Sequence, residues 1–564
     1  MFEKLKKAYR EELKVPARKF FTYAIVSVIF TLLLIILLNL LYPDYFSFII
    51  FRILFYSVPI YVLIIIILYP LIRWERRGKL IDRDMHLFIT RMGVLSVAEV
   101  ARKEMFDILA RMKEYRTLAD EIKKIYVLVS GWNISLEKAC RLVAETTPSE
   151  LLADFLNRLA YAVESGETTE VFFKNEQIVV MNQYKTKYES AMRLTEAMKE
   201  VFIALVTAAL FVIVIVSLIP LLTGEDASLL MGIAVLLFVF IEFAFLYLLY
   251  SIVPGELIWH TMRIKTDVHR SIERKLVFGS ILSILVLMLL LVLTLKPPLP
   301  IFVALCVSPL LIPGLYVNAQ EMKIKRRDDF FPAFIRSLGT IAEAKTRDMA
   351  ICLRRLRTHD FGPLTKNIED QYRRISMRIK RDEAWELFAA ETCSELISKF
   401  NEMFVEGMKT GGNPKKISQI ISDNFITILG LRKMKYESSS SLTGVLYGIM
   451  VACSVILYMS LYLVNAFYNL FSKILTPETI EALHGYEYIL LLQPKTFDFF
   501  VLACLTLAII IVHAFVSAWI TRIISGGHVV GALTHFVGLI WVGGIVAIIV
   551  CETMKYLIGG LIGV

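Results

Sequence analysis

Thr147-Pro148-Ser149-Glu150-Leu151-Leu152, followed by Phe155 and Gly166, returns 245 residues later as Thr392-Cys393-Ser394-Glu395-Leu396-Ile397, followed by Phe400 and Gly411. Each copy runs on into Lys-Tyr-Glu-Ser. The first is Lys187-Tyr188-Glu189-Ser190 with Leu194-Thr195, and the second, 248 residues on, is Lys435-Tyr436-Glu437-Ser438 with Leu442-Thr443. An earlier pair, Phe88-Ile89 with Gly93 and Phe334-Ile335 with Gly339, recurs at an offset of 246. Three matches in one order, separated by about three residues of insertion, mark a duplicated module.

Each copy leads into a long apolar run. Of the 564 residues 57% are hydrophobic, and the mean hydropathy is +0.62, the composition of a polytopic membrane protein. About nine stretches reach the roughly 20 residues that a helix needs to cross the hydrocarbon: 20–41, 46–72, 201–222, 229–253, 276–295, 299–317, 441–470, 498–520 and 529–551. The run 299–317 is interrupted by Pro309 and Pro313, and 441–470 exceeds one crossing.

Charge orients these spans. Lys4, Lys6, Lys7, Arg10, Lys14, Arg18 and Lys19 argue for a cytoplasmic N-terminal segment. Loops 42–45 and 223–228 hold no Lys or Arg, 296–298 has only Lys296, and 471–497 has only Lys473 and Lys495. Loop 254–275 instead carries Arg263, Lys265, Arg270, Arg274 and Lys275. Nine spans from an inside start place Lys555 to Val564 outside. The first span is too long for a separable signal peptide and lacks a cleavage site.

The expected organisation follows. Residues 1–72 form a basic segment with two spans, and 73–200 a first cytoplasmic helical domain. Residues 201–317 form four spans around the basic loop 254–275, and 318–440 a second cytoplasmic helical domain. Residues 441–564 form three spans with the external loop 471–497. The fold class is an all-α polytopic membrane protein with two duplicated helical-bundle domains. Leu151, Leu152, Phe155, Leu156, Leu159, Ala160 and Val163 share one helix face, and so do Leu396, Ile397, Phe400, Phe404, Val405 and Met408. Thr147 with Glu150, and Thr392 with Glu395, read as capping boxes, with Pro148 at the first helical position. Gly166 and Gly411 stand where left-handed helix stops are expected. Much of the repeat is thus structural punctuation.

Enzyme constellations are missing from the sequence. There is no GxxxxGK[ST], HExxH, GxSxG or CxxC, and Gly407-Met408-Lys409-Thr410-Gly411-Gly412 closes a helix instead of opening one. The eight histidines (His86, His260, His269, His359, His484, His513, His528, His535) lack metal-ligand spacing along the chain. The seven cysteines, with Cys306, Cys453, Cys504 and Cys551 in or beside spans, read as small apolar packers. No metal, cofactor or catalytic residue is expected. The net charge of +10 needs no nucleic acid, because basic loops account for it.

Polar exceptions remain. Arg52, Glu242 and His513 lie within spans, where an ionisable group is a functional candidate. Arg52 sits near a membrane edge, within snorkelling reach. Glu242 and His513, both mid-span, are positioned to pair across a pseudo-symmetric interface or to join a proton path. Residues 318–440 hold 23 Lys and Arg against 17 Asp and Glu, whereas 73–200 hold 21 against 20. The excess gathers at Arg354, Arg355 and Arg357, and at Arg373, Arg374, Arg378, Lys380 and Arg381. These clusters suit either anionic lipid headgroups or an acidic docking partner.

The Ala-Glu-Thr to Gly helices (Ala144 to Gly166, Ala390 to Gly411) and the Lys-Tyr-Glu-Ser junctions resemble the type II secretion F-domain superfamily, from Arg73 to the last span. About nine spans and two fused copies are most similar to its archaeal branch, the archaellum platforms; bacterial members typically have fewer spans. The resemblance implies a non-enzymatic platform in the cell membrane. A separate hexameric ATPase docks on it, archaellin or pilin subunits are moved into a growing filament, and in the archaellum the filament turns. It does not separate an archaellum from an adhesion pilus or a secretion-like system. A secondary transporter is the reading from another class, although transporter repeats consist mainly of spans. A homodimer is the default assembly.

Overall fold

A computed structural model describes residues 49–98, 100–112, 115–223, 227–293, 297–344, 348–474 and 498–562. These form seventeen α-helices with three short 3-10 turns, and among the described residues no strand is present. The helices are α1 (Ile49–Val97), α2 (Arg102–Ala110), α3 (Arg116–Gly131), α4 (Leu136–Thr146), α5 (Glu150–Glu164) and α6 (Thr169–Thr223). Then come α7 (Ala227–Ile252), α8 (Asp267–Val292), α9 (Leu299–Val307), α10 (Leu311–Ala344), α11 (Met349–Leu356) and α12 (Thr365–Ser376). The last are α13 (Arg381–Thr392), α14 (Glu395–Lys409), α15 (Pro414–Ile474), α16 (Phe499–Ser525) and α17 (Ala532–Ile562). The duplication is visible in this order: α1 to α6 and α10 to α15 are the same series of one long helix, one short, three of middle length and one very long.

Seven helices are long and apolar enough to cross a membrane: α6, α7, α8, the α9–α10 stretch, α15, α16 and α17. They contain seven of the nine expected spans. The expected span 20–41 and the basic segment before it lie outside the described residues, as does nearly all of loop 471–497. Of 46–72 the structure describes helix from Ile49 onward. The outer faces carry exposed apolar side chains such as Leu236, Phe240 and Phe211. A lipid-facing helix needs such a face, because its backbone groups are satisfied internally and its side chains meet hydrocarbon. The prolines of 299–317 act locally: Ser308–Leu310 tightens into a 3-10 turn, and Pro313 falls in the first turn of α10.

The described chain groups into two compact units. One ends at Tyr184 and includes Glu406–Ile420; the other comprises Lys185–Val405 and Ile421–Val564. In the first, Phe88, Ile89, Leu152, Phe155 and Phe173 are buried, Arg158 grips Glu176, and fully buried Arg91 approaches Glu406 at 3.4 Å. In the second, α6, α7, α15, α16 and α17 share an apolar core that includes Phe202, Phe238, Met450, Ile509 and Ile540. Here Ser217 of α6 and Ser460 of α15 share a 2.7 Å hydrogen bond.

Two apolar helix faces fall as their periodicity predicts. Leu151, Leu152, Phe155, Leu156, Leu159 and Ala160 are buried, and so are Leu396, Ile397, Phe400 and Phe404; Val163, Val405 and Met408 are half-buried. Both stops are complete Schellman motifs. Gly166 takes φ +77° and Gly411 φ +87°. Glu167 N–H donates to the Ala162 carbonyl and Gly412 N–H to the Gly407 carbonyl, while Gly166 and Gly411 donate to Val163 and Met408.

The starts differ from the sequence reading. The N-caps are Ser149 and Ser394, not Thr147 and Thr392: the Leu152 N–H donates to Ser149 Oγ at 3.0 Å, and Ile397 N–H to Ser394 Oγ at 3.1 Å. Pro148 accordingly precedes the helix instead of opening it, and Glu150 and Glu395 are its first residues. The reason lies far away in sequence. Each cap hydroxyl also donates to an aspartate on the long preceding helix, Ser149 to Asp82 and Ser394 to Asp328 at 2.5 Å. Thr147 instead terminates α4, and Thr392 is the last residue of α13.

Candidate functional site

The intramembrane candidates meet. His513 Nδ1 of α16 lies 2.7 Å from Glu242 Oε1 of α7, both side chains fully buried. Phe202 stacks beside His513 at 6.2 Å between ring centroids, and Phe238 sits at 6.4 Å. Ser517 Oγ is 3.5 Å from His513 Nε2. In such surroundings either charge alone is costly, so the pair is held by mutual need. The side chain of Arg52 lies outside the described ones.

A second constellation stands where α10, α15 and α16 meet the 253–266 loop. Arg432, buried, reaches Asp328 at 3.5 Å, Glu256 at 3.4 Å and the Leu257 carbonyl at 3.1 Å. Three residues on, Lys435 of the second Lys-Tyr-Glu-Ser donates to the Pro254 carbonyl at 2.7 Å, and Tyr436 lies under the Lys325 ammonium at 3.7 Å. Tyr188 of the first Lys-Tyr-Glu-Ser is also buried, within the electrostatic reach of Glu256, Arg432 and Tyr436. The repeated junction tyrosines therefore share one polar cluster. Their neighbours Glu189 and Glu437 face outward: Glu189 pairs with Lys185 at 3.9 Å, and Glu437 is exposed.

Glu321 anchors a third group. It accepts from Arg522 Nη1 at 2.8 Å, from the Trp259 indole at 3.1 Å and from the His528 backbone N–H at 2.7 Å, while Arg522 also grips Asn318. Together these groups tie the ends of spanning helices to α10 and to the loop. Burial also holds the His528 imidazole below its ordinary range, so the ring is neutral beside Arg522. Sequence reading missed both groups. Asp328 did carry a signal: it follows Asp82 by 246, the offset of Phe88 and Phe334.

The basic clusters divide. Arg354, Arg355, Arg357, Arg373, Arg378, Lys380 and Arg381 are exposed. Arg373 is paired along its own helix with Glu369 at 2.6 Å, Lys380 with Glu383 at 3.4 Å, and Arg357 lies over the Tyr372 ring at 4.7 Å. Arg374 turns inward, half-buried, and grips Glu391. Surface pairs of this kind contribute about 0–1 kcal/mol, so they yield readily to a partner's carboxylates.

Two histidines that stand apart in sequence come together. The ring centroids of His260 and His269 are 4.9 Å apart, and both lie near Cys393.

Residues 88–217, which hold the first helix series up to its first span, match the family described as Type II secretion system (T2SS), protein F. Flagella accessory protein J of Methanocaldococcus jannaschii is 34% identical over 510 residues, covering 89% of this chain and 90% of the relative. Flagella accessory protein J of Methanococcus voltae is 31% identical over 543 residues, covering 95% of each. No solved structure matches the chain. Identity of this extent, spread across both copies and the spans, means that the chain belongs to the Flagella accessory protein J family and is a multi-pass membrane protein carrying the type II secretion protein F domain.

Proposed function

We propose that this chain is the membrane platform of an archaellum-type filament machine. It passes the stroke of a separate hexameric ATPase to filament subunits that are drawn from the membrane and set into the growing filament. The observation that carries the reading is the pair of repeat-equivalent long helices, α6 of 55 residues and α15 of 61. At 1.5 Å per residue each extends about 80–90 Å, well beyond a bilayer's roughly 30 Å core. Each runs from polar sequence into an apolar span without a break. A rod of that kind transmits a displacement applied at its polar end. The N-terminal segment and the two polar helical series then face the cytoplasm, where an ATPase reaches them, and the short C-terminal segment faces outside.

The exposed arginines of α11 to α13 supply the docking chemistry. Guanidinium forks match carboxylates in pairs, and a charged patch speeds encounter with an acidic face. Anionic lipid headgroups compete for the same charges. No step of nucleotide hydrolysis is assigned to this chain. The test is genetic and biochemical. Cells lacking the gene should lose filaments and regain them with the wild-type chain, and the purified chain should not turn over ATP. Normal filamentation without the gene, or ATP turnover by the purified chain, would remove the reading.

A further inference from the structure

The loop that joins α7 to α8 carries His260, the first turn of α8 carries His269, and Cys393 lies in the two-residue link between α13 and α14. One nitrogen of each histidine and the Cys393 sulfur all lie within 4.8 Å of one another. His260 and Cys393 are 6% and 1% exposed, so two of the three groups are shut away from bulk water. Cys393 takes φ +59°, a left-handed conformation that a side chain other than glycine seldom adopts. The first copy has three residues in the equivalent link and no positive φ there. The shorter link of the second copy turns the thiol towards the histidines.

The histidine donor atoms are unevenly satisfied. His269 Nδ1 lies 2.8 Å from Thr266 Oγ1, which fixes the ring and leaves its other nitrogen available. His260 Nδ1 has only a long contact of 3.3 Å from the Met262 N–H. The Nε2 of His260 is buried without a close, well-aligned hydrogen bond; the backbone of Ala390 makes a weaker one to the ring. The loop and the link are already registered against each other: His260 N–H donates to the Cys393 carbonyl at 3.1 Å, and Glu395 N–H to the Ile258 carbonyl at 3.0 Å.

We propose that His260, His269 and Cys393 bind one zinc ion, which staples the loop between two spanning helices to the α13–α14 link. Two imidazoles and a thiolate are a borderline-soft donor set, suited to zinc and unsuited to magnesium or calcium, which take oxygen ligands. Bond lengths of about 2.0–2.3 Å place tetrahedral ligand atoms roughly 3.3–3.8 Å apart, so small side-chain rotations close the site. The fourth position falls to water or to Thr266 Oγ1, which is 3.7 Å from the sulfur. On binding, Cys393 releases its thiol proton to solvent. His260 moves its proton from Nε2 to Nδ1 and gives up the long Met262 contact.

Zinc and cobalt titrations of the chelator-stripped full chain in detergent test this. The wild type should take up one equivalent of zinc per chain. With cobalt it should show a thiolate-to-metal charge-transfer band. Cys393→Ala should lose the band, and His269→Gln should weaken zinc binding by at least about tenfold. Should Cys393→Ala fail to fold, Cys393→Ser, which keeps the size of the side chain, must still lose the band. Less than about one-tenth equivalent in the wild type, equal uptake by the variants, or a cobalt adduct without the thiolate band would overturn the proposal.

Discussion

Single residues decide where the repeated helices start and what the spans tolerate. Ser394→Ala removes an N-cap and leaves Asp328, 1% exposed, without its short hydrogen bond. The expected loss is about 2–3 kcal/mol, read as thermal unfolding in detergent. Ser149→Ala should cost less, about 1–2 kcal/mol, because Asp82 is only half-buried. Threonine caps would reverse the plan: Thr147→Ala and Thr392→Ala should then be the costlier pair. Within the spans, Glu242→Gln keeps an acceptor for His513 and should preserve both stability and filamentation. Glu242→Ala leaves the ring alone in an apolar core and should cost about 3–5 kcal/mol. Loss of filamentation by a stably folded Glu242→Gln would show that the carboxylate itself does work. At His528, burial, Arg522 and His269 lower the proton affinity and Glu321 raises it, with the lowering dominant. The unfolded chain takes up this proton near the ordinary pH 6.5, whereas the folded chain does so only at lower pH. This contribution is therefore present above pH 6.5 and lost as pH falls through and below it. His528→Asn should flatten that part of the curve of melting temperature against pH; an unchanged slope would contradict the assignment.

At the scale of elements, hydropathy and the 3.6-residue period were enough. Seven expected spans coincide with helices, and the α5 and α14 faces bury the residues their spacing marks. Both stops were legible because glycine alone takes φ near +80° without strain. No atom lies within 4 Å of where a Cβ would stand on Gly166 or Gly411. Alanine at either site therefore costs only its backbone conformation, about 1–2 kcal/mol, measured by chemical or thermal unfolding. A larger loss would mean that the stops are also packing sites. The caps were displaced by two residues because Thr147-Pro148-Ser149-Glu150 offers two hydroxyls. Local spacing favours Thr147, while the deciding partner, Asp82, lies 67 residues upstream. The same limit hid Arg432, Glu321 and the His260–His269–Cys393 cluster: Asp328 stands 104 residues from Arg432 and Arg522 stands 201 from Glu321, and no local pattern announces them. Nor did composition show that α6 and α15 continue unbroken across the boundary between polar and apolar sequence.

For the whole molecule, the function proposed above puts the moving parts in the long helices and their junctions, and the energy source in a partner. The duplicated junctions converge on Arg432, whose carboxylate partners lie on α10 and on the loop after α7. A push on the polar helices therefore reaches the ends of several spans through charges buried from water. In the proposed function the basic surface of α11 to α13 receives that push. The most direct measurement is capture of the partner secretion-type ATPase by the detergent-purified full chain at low and high salt. The comparison chain carries Arg354, Arg355, Arg357, Arg373 and Arg378 changed to Glu, with unchanged thermal unfolding as the folding control. The account predicts capture by the wild type that weakens as the Debye length falls from about 10 Å at 0.1 M salt to about 3 Å at 1 M, and loss of capture by the reversed chain even at low salt. Equal capture by both chains, indifferent to salt, would contradict it.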